Sequence, residues 1–94
     1  MNRDPNPVTA FRLPAAQGFY TSPADVEIGT VVYDQFSDLA GVVRDVIGDE
    51  VHIERPSGMT WRIHYRRVLA GTARHAAELA VLHAEIAKRR HGLP

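Results

Sequence analysis

The stretch from residue 26 to residue 69 most constrains what this chain can fold into. Short runs of β-branched and aromatic residues recur there between glycine, proline and aspartate turn signals. This spacing is typical of antiparallel strands joined by tight turns. We therefore predict a mostly β domain, a small antiparallel barrel of four or five strands over residues 26–69.

The first two strands follow from this pattern. Val26 to Tyr33 predicts a strand that Gly29 interrupts, as a bulge or a close backbone approach would. After a loop over residues 34–41, two adjacent valines in residues 41–46 break strict alternation, which is typical of a bulged strand. Gly48-Asp49 then predicts a tight hairpin turn.

Residues 51–65 predict a second hairpin with a loop at residues 57–59. We prefer the register that sets Ile53 opposite Ile63, because it also sets Glu54 opposite Arg62 and so matches charges as well as faces. In this register Trp61 lies on the apolar face. A register shifted by two residues keeps the faces and sets Ile53 opposite Trp61.

The preferred register also makes His52 and His64 cross-strand neighbours. Two protonated imidazoles would repel each other, so this pair predicts a hairpin that loosens below about pH 6. The pair could supply two metal ligands, but the spacing places no third ligand beside them. We expect no metal and no cofactor.

The flanks differ in character from this centre. Residues 1–25 contain four of the six prolines and predict an irregular or disordered arm. Its apolar side chains favour an arm that lies across its own domain, with docking into a neighbouring subunit as the alternative. Those side chains are Phe11, Leu13, Phe19 and Tyr20.

Residues 70–91 predict a helix with Thr72 as N-cap, ending near Gly92. The bulky stripe of Leu79, Leu82 and Ile86 suits docking on the barrel. The alanine-rich face beside it would permit close approach of a second copy, so a homodimer through this face is a further expectation.

Composition bounds the class of protein. Ninety-four residues fit one domain, and the absence of cysteine leaves no disulfide framework. No apolar run has the length of a signal peptide or a membrane span, so we expect a soluble cytoplasmic protein. The net charge of zero is uneven: residues 20–54 hold eight acids and one base, and residues 61–94 hold seven bases and two acids.

A further pattern combines the glycines of the first two strands with the second hairpin, in Gly29, Val32, Asp34, Gly41, Val42, Arg55, Pro56, Gly58 and Trp61. This pattern resembles a group of small actinobacterial proteins of unassigned function, similar to SH3-like or KOW-like barrels. The resemblance covers about residues 26–85. It implies a barrel with a C-terminal helix and brings no activity; Met59 stands where such proteins often have a second glycine.

An enzyme is not expected. The sequence has no nucleophile elbow, no zinc-protease motif and no phosphate-binding glycine loop. Asp34 and Asp38 could form a carboxylate pair, but carboxylates in a connecting loop are more often solvated turn formers.

Two binding functions remain. A protein-binding module is preferred, using an open sheet edge, a groove beside Tyr33 and Phe36, or the helix with Leu79 and Leu82. The alternative is nucleic-acid binding, with base stacking on Trp61 and phosphate contacts from arginines. The arginines are Arg55, Arg62, Arg66 and Arg67. Aromatic residues exposed among arginines would favour nucleic acid, and aromatic residues exposed among apolar side chains would favour protein.

Overall fold

A computed structural model of the chain describes residues 11–92, and side chains within that range as far as residue 89. It shows five strands, two short 3-10 turns and one helix. In chain order these are a 3-10 turn at Pro23–Asp25, β1 (Val31–Asp34), β2 (Leu39–Ile47), β3 (Glu50–Glu54), β4 (Thr60–His64), a 3-10 turn at Tyr65–Arg67, β5 (Val68–Ala70) and α1 (Ala73–Gly92).

The strands form one antiparallel sheet in the order β4-β3-β2-β1-β5. The predicted mostly β fold with a C-terminal helix is confirmed. The sheet is open, with β4 and β5 at its two edges, and is not closed into the barrel that the sequence predicted.

The first two strands differ in length from their prediction. β1 begins at Val31, because Gly29 takes a left-handed backbone conformation, with φ at +89°, and donates to the Val43 carbonyl at 2.7 Å. The β2–β3 register shifts between Val43 and Asp45, so the bulge predicted in the second strand is confirmed. Gly48, with φ at +61°, forms the predicted two-residue turn with Asp49.

The preferred register of the second hairpin is wrong. Ile53 lies opposite Trp61, which is the register shifted by two residues. The turn explains the shift: the Gly58 amide donates to the Arg55 carbonyl at 2.9 Å, and the Arg55 amide donates to the Met59 carbonyl at 2.9 Å. Pro56 therefore follows the first turn residue, where its fixed φ is favoured, and Gly58 takes the left-handed position with φ at +93°.

The sheet buries apolar side chains on both faces. On one face Val32, Val43 and Ile53 join a main core. Tyr20 and Val26 help to cover this core, and both belong to residues 11–30 before β1, which we call the N-terminal segment. The arm is held there by hydrogen bonds: the Ala70 amide donates to the Gly18 carbonyl at 2.8 Å. Residues 11–25 therefore lie along their own domain, and the rest of the predicted arm lies outside the described residues.

The opposite face, which we call the helix face, carries a second core. Val31, Ala40 and Val42 pack there against Leu79 of α1, which is fully buried. The main contacts of the helix with this face are to β1 and β2. The helix-face side chains of β3 and β4 extend beyond it.

Candidate functional site at the β4 edge

The outer side of β4 is an uncovered sheet edge within residues 11–92. β3 pairs with one side of β4, and no described strand pairs with the other. Unpaired N–H and C=O groups on such an edge can accept a further strand. The edge therefore offers main-chain hydrogen bonding to a partner.

The hairpin register identifies which groups point outward. In an antiparallel pair, directly hydrogen-bonded residue pairs alternate with pairs that are not bonded to each other. The Arg55–Met59 pair is bonded, and the Tyr65 amide donates to the Asp49 carbonyl at 2.9 Å. By this alternation Trp61 and Ile63 also belong to hydrogen-bonded pairs, so their amide and carbonyl groups point toward β3. The backbone groups of Thr60 and Arg62 consequently point away from β3.

The other edge of the sheet differs because the N-terminal segment covers part of it. Phe19 forms an isolated antiparallel bridge with Leu69 of β5. The hydrogen bond from Ala70 to Gly18 lies beside that bridge. Of the two sheet edges in residues 11–92, β4 is therefore the one with its backbone more available.

The two faces of β4 carry different chemistry. Arg62 and His64 lie on the helix face beyond the helix, and their side chains are 66% and 43% exposed. Arg62 approaches Glu50 at 3.9 Å, and His64 approaches Asp49 at 3.7 Å. Pairs with this much solvent contribute little to stability. The arginine can therefore reorient toward a new partner at small cost.

Trp61 lies on the opposite face and is half-buried. Its indole Nε1–H donates to the Asp34 carboxylate at 2.9 Å. Its ring passes so close to Gly41 that a Cβ there would lie 3.3 Å from Cη2. The predicted stacking platform for nucleobases therefore has one edge fixed against the chain's own β2.

Asp34 has a structural role that the sequence did not predict. It is 2% exposed, and it accepts from Trp61, from the Ser37 hydroxyl at 2.9 Å and from the Phe36 amide at 2.9 Å. The carboxylate is thus a buried acceptor that ties the β1–β2 loop to the β4 hairpin, whereas the sequence suggested a solvated turn former. Asp34 directly follows an apolar run, and this position was the signal in the sequence that its carboxylate is buried.

The remaining predicted nucleic-acid residues each contact a different group of the protein. Arg55 donates to the Ala40 carbonyl at 2.8 Å, which holds it against β2. Arg66 donates to the Tyr65 hydroxyl at 3.2 Å, which raises the pKa of the guanidinium. Arg67 lies over the Phe36 ring, with 4.8 Å from the guanidinium carbon to the ring centroid. Arg62, Arg66 and Arg67 are exposed, and Arg55 is half-buried.

The predicted groove beside Tyr33 and Phe36 is a surface of mixed character. Phe36 is 68% exposed. Tyr33 stacks on His75 of α1 with 4.6 Å between ring centroids. Its hydroxyl donates to Asp38, and this hydrogen bond raises the pKa of the phenol.

The two helix residues that were predicted to face a partner differ in burial. Leu79 has no exposed surface and belongs to the second core, while Leu82 is half-buried. Val81 is 59% exposed, and Ala73, Ala77 and Ala84 are also exposed. The alanine-rich face is thus only partly open, because Ala76 packs against the second core and Ala80 and Ala87 are half-buried.

A cleft of about 340 Å³ lies between α1, the N-terminal segment and the β2–β3 strands. Its charged groups already have partners. Arg44 pairs with Glu54 at 2.6 Å, and Arg55 bonds the Ala40 carbonyl. The cleft is consequently less available to a charged ligand than its composition suggests.

The histidine pair does not form as predicted. His52 lies opposite Arg62, and His64 lies opposite Glu50, so the two imidazoles are diagonal rather than direct neighbours. Within the described residues, no three side chains of histidine, aspartate or glutamate lie close enough to hold a metal ion.

No protein family model, curated protein or solved structure matches the chain. Among the described residues, no helix has the length and apolar character needed to cross a membrane.

Proposed function

We propose that the protein is a non-enzymatic protein-binding module that binds an extended segment of its partner along β4. The outward backbone groups of Thr60 and Arg62 carry this proposal, because they lie on an edge that no other strand of residues 11–92 pairs with. A partner strand would form main-chain hydrogen bonds there, and alternate side chains would supply specificity.

Hydrogen exchange of the free protein tests the edge itself. The Thr60 and Arg62 amides should exchange fast, because they point away from β3 and no described strand pairs with that side of β4, while the Trp61 and Ile63 amides should be protected by β3. Residue-resolved NMR exchange measures all four in one sample. Protection of Thr60 and Arg62 in the monomer would mean that the edge is covered, and would contradict the proposal.

A proline substitution tests binding at this edge. Arg62→Pro removes an amide that points away from β3, so the β3–β4 ladder stays intact. Peptides selected from a random displayed library on the wild-type protein should lose at least about tenfold in affinity for this variant, since strand addition depends on that edge. Arg62→Lys is the matched control, because it keeps both the amide and the charge. Equal binding to the wild-type and proline variants would overturn the edge as the site.

Nucleic-acid binding is the second candidate, and the contact between Phe36 and Arg67 favours it. An exposed aromatic ring beside an arginine suits base stacking combined with phosphate contact. Fluorescence anisotropy of labelled RNA and DNA at low and physiological salt tests this function. Salt-dependent binding that Arg66→Ala/Arg67→Ala weakens would support it, and no binding at low salt would remove it.

We also propose an SH3-like arrangement of the strands and a cytoplasmic location. The bulged β2, the 3-10 turn before β5 and the pairing of β5 with β1 support an SH3-like arrangement that is more open than a barrel. The resemblance to small actinobacterial proteins supports the same arrangement. The cysteine-free sequence is compatible with a reducing cytoplasm.

A homodimer through the alanine-rich face of α1 is tested by sedimentation.

A further inference from the structure

The edge of β4 presents a cation on one face and apolar surface on the other. Arg62 has a 66% exposed side chain, and its nearest carboxylate, Glu50, lies at 3.9 Å on the strand behind it. Trp61 and Ile63 on the opposite face are only half-buried, and Met59 just before them is 49% exposed. The two faces therefore require different side chains from any strand that adds here.

We infer that the partner segment alternates acidic and apolar residues, and this inference rests on the proposed strand addition at β4. Side chains of an added strand alternate between the two faces. Those on the helix face would lie beside Arg62, where a carboxylate is favoured as a cross-strand neighbour. Those on the other face would cover the exposed parts of Trp61 and Ile63, where apolar side chains are favoured.

A second copy of β4 fits this edge less well. Antiparallel pairing of two β4 strands sets Arg62 opposite Arg62, Thr60 or His64 of the other copy, depending on the register. None of these supplies a carboxylate, and the first pairing is repulsive. The occupant is therefore a segment of a different protein.

Three synthetic peptides of equal length test the inference. One alternates glutamate and valine, one alternates lysine and valine, and one has the composition of the first with its glutamates clustered. Anisotropy of each labelled peptide is measured with the wild-type protein and with Arg62→Glu, whose fold is checked by circular dichroism. The alternating glutamate peptide should bind the wild type at least about tenfold tighter than either other peptide, and Arg62→Glu should reverse the charge preference.

The outcomes separate this inference from strand addition as such. Equal affinity for the glutamate and lysine peptides would overturn the acidic preference, and loss of both by Arg62→Pro would leave strand addition in place. Undiminished binding to Arg62→Pro would overturn both. Should Arg62→Pro fail to fold, peptides N-methylated at their own amides serve instead, because they cannot add as a strand. Wild-type dimers that Arg62→Glu disrupts would show that the occupant is a second copy, which also overturns the inference.

Discussion

At the scale of single residues, the buried Asp34 carboxylate links β1 to β4, two strands that are not neighbours in the sheet. Its acceptor contacts come from Trp61 and from the loop at Phe36 and Ser37. A buried carboxylate is costly unless hydrogen bonds satisfy it, so these donors make its burial possible. The position of Trp61 at the β4 edge thus depends on a residue three strands further along in the sheet.

Trp61→Phe tests this link. The variant removes the indole donor and leaves Asp34 Oδ2 with the Ser37 hydroxyl alone, so the free energy of unfolding should fall by about 2 kcal/mol. Urea denaturation measures the change. The double variant with Asp34→Asn should fall by less than the sum of the two single effects, because both remove one interaction. Strict additivity would show that the two side chains are not coupled.

Tyr20 gives a residue-scale prediction that depends on pH. Its hydroxyl is buried without a hydrogen-bond partner in the described chain. Burial, and then the nearby Glu27, raise the pKa of this phenol above its ordinary value of 10.0. The folded state therefore holds the proton more tightly than the unfolded state does. The stability that Tyr20 contributes is present below pH 10 and is lost as pH rises through the raised pKa.

Tyr20→Phe should remove this alkaline loss. At neutral pH the variant should be as stable as the wild type or more stable by up to about 1 kcal/mol, because an unsatisfied buried hydroxyl is removed. Between about pH 8 and about pH 11 its free energy of unfolding should fall less than that of the wild type. Guanidinium denaturation at both values measures the difference. Tyr33 titrates in both proteins, so parallel curves would contradict the role of Tyr20.

At the scale of elements, the start of α1 is fixed by a side chain that the sequence did not single out. Thr72 was predicted as the N-cap, and its carbonyl accepts from the Ala76 amide at 3.0 Å. The Thr72 amide donates to His75 Nδ1 at 3.1 Å, where a capping box would have glutamate or glutamine. His75 also stacks on Tyr33 of β1, so one imidazole both caps the helix and attaches it to the sheet.

His75→Ala should therefore destabilise the domain by about 1–2 kcal/mol through loss of both the cap and the ring contact. His75→Gln should recover part of this loss, because glutamine can accept from the Thr72 amide but cannot stack in the same way. Thermal unfolding followed by circular dichroism compares the three proteins. Equal stability of the alanine and glutamine variants would mean that the cap contributes nothing measurable.

The β3–β4 hairpin shows where sequence reasoning succeeded and where it failed. The alternation of apolar and polar residues predicted the two faces, since both registers keep them. Charge matching then favoured pairing Glu54 with Arg62, but surface ion pairs are too weak to decide a register. The turn decided it through the fixed φ of Pro56 and the left-handed Gly58. The outward groups of the β4 edge could be identified only after that register was known.

At the scale of the whole molecule, a short chain buries both faces of its sheet. The N-terminal segment covers one face with Tyr20 and Val26, and α1 covers part of the other through Leu79. The helical stripe predicted the docking of Leu79. The extent of arm packing was not predictable, because the proline-rich segment has no periodicity and its contacts are set by the tertiary fold.

Substitutions at Leu79 and Leu82 distinguish a role in folding from a role in partner binding. Both residues were predicted to face a partner. Leu79 is fully buried against Val31 and Val42, so Leu79→Ala should lower the free energy of unfolding by about 2–4 kcal/mol. Leu82 is half-buried and outside both cores, so Leu82→Ala should cost less than about 1.5 kcal/mol. Urea denaturation measures both, and peptide affinity is measured where each variant is fully folded. Leu82→Ala should leave affinity for the β4 edge unchanged, because the main contacts of α1 with the sheet are to β1 and β2. A loss of affinity in Leu82→Ala at unchanged stability would place the partner on the helix.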